Sequence, residues 1–247
     1  MRPLTGSLVL YLLMVGLLSV NLNLVQVFPA SAYIIYIIVI FAVIFYFSKS
    51  LFWGKKPAPG LLIGIALIGI VFLIEIIAGQ VRIEGINFNP VLFFSFFILQ
   101  ILVAVGEEIS FRGNILQSLS DETGTRTGII LSSFMFSAIH VPSFIYYGLD
   151  IQRLTIAFIA VGLLGAIASI IYFNYGLVSA ITFHFAWNFL QYNIFNLNRG
   201  QGIMNISDTG TNILTGGGFG PEAGVLGLIV VLLALMVLIK KYPKSLN

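Results

Sequence analysis

Six ionisable side chains fall inside apolar segments of this 247-residue chain: Glu75, Glu107, Glu108, Arg112, His140 and His184. An ionisable group in a bilayer-spanning segment costs about 2.5–3.5 kcal/mol or more, so each needs a partner or a function to keep it there. His140 and His184 are the only two histidines of the chain, and neither lies in a loop. A carboxylate and imidazoles in a water-poor interior can activate a water as general base, bind a divalent metal or relay protons. The chain contains no cysteine, which removes thiolate nucleophiles, disulfides and thiolate metal ligands together.

Spacing groups these residues. Glu108 and Arg112 are four apart, as are Phe136 and His140, and His184 and Asn188, so each pair shares a helix face. Counted at about 1.5 Å per residue from helix ends near Leu119, Gly128 and Leu177, Glu107, His140 and Asn188 sit roughly 16–18 Å deep. His184 lies one turn shallower. Glu107, His140, His184 and Asn188, delivered by three helices, are therefore expected around one cavity inside the bilayer. Glu108 and Arg112 read as an ion pair, because an unpaired arginine there would be costly; Arg112 could alternatively meet a substrate carboxylate. Phe136 and Trp187 read as packing residues, Phe136 also as a wall of the cavity, and Glu75 is expected at the interface.

The elements that carry these residues follow from composition. Hydrophobic residues make up 59% of the chain and charged ones 9%, and the mean hydropathy is +1.05, which excludes an ordinary soluble domain. Apolar segments occupy 4–28, 32–48, 61–78, 90–119, 128–147, 154–173, 176–195 and 224–240. Backbone groups in lipid must be satisfied internally, so these are helices. The expected fold is an all-α polytopic membrane bundle of about eight transmembrane helices. Assigning alternate connections to opposite sides puts Arg2, Lys49, Lys55, Lys56, Arg112, Arg126, Lys240, Lys241 and Lys244 on one side. Only Arg82, Arg153 and Arg199 fall on the other, so both termini are expected to be cytoplasmic. The net charge of +3 is thus topological, and no nucleic-acid partner is read from it.

The connection 196–223, rich in Gly, Asn and Thr, reads as a mobile outer loop. Ala30-Ser31-Ala32 after the first apolar run could mark signal cleavage, although that run is long for a signal and reads better as a plain first helix. Asn205-Ile206-Ser207 is a formal glycosylation sequon, meaningful only in a eukaryotic secretory host. The chain divides into residues 1–90, helices without a motif; 91–195, the part holding Glu107, Glu108, Arg112, His140 and His184; and 196–247, a loop, a last helix and a basic tail.

The motifs Glu107-Glu108-Ile-Ser-Phe-Arg112, Phe136-Ser-Ala-Ile-His140 and His184-Phe-Ala-Trp-Asn188 resemble the EExxxR, FxxxH and HxxxN motifs of the CPBP intramembrane proteases. That family includes the type II CAAX prenyl endopeptidases and bacterial relatives linked to peptide processing or bacteriocin immunity. The resemblance covers residues 95–195. It implies an eight-helix glutamic endopeptidase in which Glu107 and His140 activate a water, while His184 and Asn188 stabilise the oxyanion. Glu108, Arg112 and Phe136 are supporting residues. No cofactor and no bound metal are implied. The partners are a membrane-associated peptide or protein, prenylated or not, and the lipid bilayer. The short loops, with no organelle transit signal, suggest the plasma membrane of a prokaryote.

The residues leave rivals open. Glu107, His140 and His184 could supply the ligands of a catalytic zinc, without the HExxH helix that usually marks one. A proton-coupled transporter would also bury Glu and His, but no inverted repeat is visible. A non-catalytic immunity or scaffold protein could keep the same fold.

Overall fold

The computed structural model describes residues 4–47, 52–200 and 202–243. Arg2, Lys49 and Lys244 of the cation count lie outside these residues. All eight apolar segments are helical. Helix α1 spans Leu4–Val27, α2 Ser31–Phe47 and α3 Pro57–Ile77. The fourth segment is α4 (Pro90–Ser110), a π-helical turn (Phe111–Ile115) and α5 (Leu116–Thr123), and the fifth is α6 (Thr125–Ala138) and α7 (Val141–Tyr146). Then come α8 (Ile151–Tyr175), α9 (Leu177–Asn188) with a second π-helical turn (Phe189–Ile194), a four-residue α10 (Asn212–Thr215) and α11 (Val225–Lys241). Among the described residues five stretches are long and apolar enough to cross a bilayer by themselves: 4–27, 57–77, 90–123, 125–146 and 151–175. The protein is a polytopic, integral membrane helical bundle.

Its surface is apolar where a soluble protein would be polar. Leu12, Phe41, Leu62, Val91, Phe134 and Val237 are all exposed, around the bundle's girth, which suits lipid as the surrounding solvent. The interior holds small residues and polar contacts instead. Gly60 and Gly64 of α3 face α9 so closely that a Cβ on Gly60 would lie 1.7 Å from the Ser179 carbonyl oxygen, and one on Gly64 2.6 Å from that of Phe183. The Gly60 N–H also donates to Ser179 Oγ at 2.9 Å. Lipid gives no hydrophobic drive for helices to associate, so close backbone approach and interhelical hydrogen bonds do that work. Ser7 of α1 similarly donates to Asn114 Oδ1 at 2.9 Å and meets Ser118 Oγ at 2.6 Å, which ties α1 to the fourth segment.

Several expectations change. The all-α bundle carries one small addition that was not expected: β1 (Val81–Ile86) pairs antiparallel with β2 (Met204–Asp208) at one end, with a register shift between Ile83 and Gly85. The connection 196–223 is no loose loop, because β2, α10 and two short 3₁₀ turns (Gly217–Phe219, Pro221–Ala223) fold it over that sheet end, burying Leu197, Thr215 and Ala223. Glu75 is 1% exposed rather than interfacial, since α3 continues two residues past it and β1 then folds over the helix end. Ala30-Ser31-Ala32 lies in the tight turn into α2, with Ser31 Oγ donating to Asn21 Oδ1 at 2.8 Å. His140 does not sit within a continuous helix. Proline at the second position of α7 supplies no N–H, and the chain breaks at Ile139–His140 before restarting.

Candidate active site

Glu107, at the buried end of α4, is the centre of the arrangement. Its Oε1 accepts a hydrogen bond of 2.7 Å from Tyr36 Oη, delivered by α2. Gly106 makes room for that ring: a Cβ there would lie 2.9 Å from Tyr36 Cδ1. The other oxygen, Oε2, is buried and has no hydrogen-bond partner among the described residues. It lies 3.9 Å from His140 Nε2 and 3.9 Å from His184 Nε2. That is too long for direct hydrogen bonds and suits one oxygen atom bridging all three.

Both rings are turned this way by their other nitrogen. His140 Nδ1 lies 2.7 Å from the Phe136 carbonyl oxygen, which only accepts, so Nδ1 is the donor. His184 Nδ1 donates to Glu108 Oε1 at 2.8 Å. Each imidazole therefore presents Nε2 to Glu107.

Glu108 has a wider role than the expected pair. Its Oε1 also receives Arg112 Nη1 at 2.9 Å, so one oxygen holds both a guanidinium and the His184 ring. Arg112 is 1% exposed. Its Nη2 donates to the Gly165 carbonyl of α8 at 2.9 Å, and its Cζ lies 4.4 Å from the centre of the Phe136 ring. A Cβ on Gly165 would crowd both Arg112 and Phe136 at 3.3 Å. The arginine is thus committed within the protein, contrary to the alternative in which it waits for a substrate carboxylate. Phe136 packs edge-on to His140 (5.0 Å) and to His184 (6.2 Å), walling the space between them as expected.

Glu107, Glu108, Arg112, Phe136, His140, His184 and Asn188 all line one cavity of about 250 Å³, large enough for several waters or a short stretch of peptide backbone. All four expected core residues are brought together there. Trp187 does more than pack: its Nε1 donates to Glu222 Oε1 at 2.6 Å, and Gln191 Nε2 donates to Oε2 at 2.9 Å. Glu222, from the connection after β2, lines the same cavity. Tyr36, Gly165 and Glu222 are the contributors the sequence reading missed. A tyrosine in an apolar helix and an acid in a Gly-rich connection carry no spacing signal, whereas the Gly60/Gly64 pattern that seats α9 was a readable GxxxG.

Chemically, the cavity offers a carboxylate oxygen with open acceptor capacity, two imidazole nitrogens facing it and an amide side chain one turn from His184. The side chains as placed form no group of three His, Asp or Glu suited to holding a metal ion among the described residues. A comparison with curated proteins gives no match. Residues 89–190, which include all seven motif positions, match the family model described as type II CAAX prenyl endopeptidase Rce1-like.

Proposed function

We propose that the protein is a glutamic intramembrane endopeptidase that hydrolyses a peptide bond of a membrane-associated protein or peptide, without a covalent acyl-enzyme. The observation that carries this reading is the position of Glu107 Oε2, 3.9 Å from the Nε2 atoms of two histidines on two other helical segments. A water held among these atoms gives a proton to Glu107 as its oxygen attacks the carbonyl carbon. The C–N bond then breaks, the amine leaves with the proton returned through Glu107, and the new carboxylate remains. His140 orients the water, and His184 with Asn188 faces the developing oxyanion, an arrangement that typically contributes about 3–4 kcal/mol to the transition state. Glu108 and Arg112 hold His184 in place, and residues 91–195 form the catalytic core. The cation asymmetry supports a topology with both termini cytoplasmic, in the plasma membrane of a prokaryote.

The test uses purified protein in lipid nanodiscs and a library of membrane-anchored, internally quenched peptides read by mass spectrometry. Glu107→Gln, His140→Ala and His184→Ala are expected to remove cleavage, and Asn188→Ala to lower kcat about 10²-fold with a smaller change in KM. Undiminished cleavage in all four ends the proposal. Exhaustive chelation is expected to leave wild-type cleavage unchanged; its loss, with recovery on adding zinc, would replace the glutamic mechanism by a zinc one.

A further inference from the structure

The catalytic cavity has two chemically different ends. At one end Glu108 binds both Arg112 and His184, and Glu107 Oε2 faces the Nε2 atoms of His140 and His184 at 3.9 Å. Toward the sheet end, α9 continues from His184 through Trp187 to Gln191, about 5–10 Å further along at the helical rise. There Glu222 is fixed by Trp187 Nε1 and Gln191 Nε2. The residue is 7% exposed, lines the cavity, and has no Lys, Arg or His within ion-pair distance among the described residues. Both of its partners are neutral donors, and each carboxylate oxygen keeps a further lone pair. Burial pushes the Glu222 carboxyl up, against the hydrogen bonds it accepts and the charge of His184, which pull it down.

Three aromatic rings, Trp187, Tyr192 and Phe219, line the cavity along with it. Trp187 presents its indole N–H edge to the carboxylate, and a buried carboxylate lining an open cavity attracts an ammonium or guanidinium by charge-assisted hydrogen bonding. An anion finds the opposite. The cavity lining holds three carboxylates against a single arginine. That arginine has Nη1 on Glu108 and Nη2 on Gly165, and its Nε is covered by protein.

We propose that the sheet end of the cavity is a subsite for a positively charged group of the substrate, with Glu222 as its counter-ion. The inference rests on the cavity being the peptidase site. It changes the expected substrate: a peptide presenting an ammonium or guanidinium near the scissile bond, rather than a free C-terminal carboxylate. The cation comes from a basic side chain or from a free amino terminus, and the two sources are separable.

The experiment measures binding to full-length protein in nanodiscs by native mass spectrometry. The probes are four apolar hexapeptides. Three are acetylated and amidated and differ only in a central Lys, norleucine or Glu; the fourth carries norleucine and a free amino terminus. The Lys peptide, or the free-amine peptide, is expected to bind about tenfold or more tightly than blocked norleucine, the range of one charge-assisted hydrogen bond. The Glu peptide should bind more weakly than norleucine. Glu222→Gln keeps the shape and is expected to bring the cationic preference to within about twofold of unity, while Glu222→Asp keeps its sign. Equal binding of all four probes to the wild type, or a cationic preference unchanged in Glu222→Gln, overturns the proposal. The wild-type comparison decides the matter even if a variant folds poorly. Loss or survival of cleavage in Glu107→Gln is a separate result that bears on the peptidase reading alone.

Discussion

Glu107 has two carboxylate oxygens, and its neighbours treat them differently. Tyr36 occupies Oε1 while Oε2 is left to the two histidines, so a hydroxyl from outside the matched segment sets which oxygen faces the cavity and, in the proposed mechanism, the water. Tyr36→Phe removes one charge-assisted hydrogen bond, about 1.5–3 kcal/mol, without altering the ring that fills the space beside Gly106. The expected outcome is a fall in kcat of tenfold or more with KM little changed; replacement by p-aminophenylalanine, which keeps a donor at the same point, should restore most of it. A loss in KM alone would show that Tyr36 only shapes the cavity. Glu108 gives a different test. Removing one member of a buried ion pair costs about 3–5 kcal/mol because the other charge is left uncompensated. Glu108→Gln is expected to lower the melting temperature markedly. Glu108→Gln combined with Arg112→Met should regain much of that stability yet cleave more slowly, because His184 Nδ1 then faces a neutral amide oxygen instead of a carboxylate. The motif residues were legible because their types are costly in lipid at helical spacing. Tyr36 was not, since a tyrosine in an apolar helix is unremarkable until its partner is known.

At the scale of elements, the site depends on where three helices stop being regular. A π-helical turn follows Glu107 and Glu108 directly, and another follows Asn188, while the fifth segment breaks at His140. Such wide turns change the phase of the residues beyond them, and they cluster at functional sites. Here one lets Arg112 reach both Glu108 and Gly165. Sequence pattern showed the helices, because long apolar runs leave no alternative in lipid, but it cannot show these local irregularities: the composition of 111–115 and 189–194 is that of any helix. The β1–β2 pair was missed because its strands are short and outside the apolar runs. What holds α9 in register is the tight face of α3. Gly64→Ala would place its methyl against Phe183 and Ala186, and overpacking of this kind costs about 1–3 kcal/mol. The expected result is a lower melting temperature together with reduced kcat, since His184 rides on the displaced helix. The same substitution at Gly69, where nothing lies within 4 Å, should change neither, and equal effects at both positions would refute α3 as the seat of α9.

The molecule as a whole carries its apolar residues outward and its charges inward or at its two ends. The polar ends are distinct. Asn205 on β2 is exposed at the sheet end, whereas Glu122 is exposed at the far end of α5, and the fourth segment, 34 residues from Pro90 to Thr123, runs from one end to the other. We propose, from the cation count, that the sheet end faces outside and the Glu122 end the cytoplasm. A chain without cysteines allows a direct measurement, because single cysteines introduced at these exposed points have no background. In intact cells a membrane-impermeant maleimide is expected to label Asn205→Cys at once and Glu122→Cys only after the membrane is permeabilised. The reverse pattern would invert the topology. Labelling of both from outside would mean that the fourth segment does not cross, and Glu107, about halfway along it, would then lie outside the water-poor interior in which the proposed electrostatic stabilisation is strong.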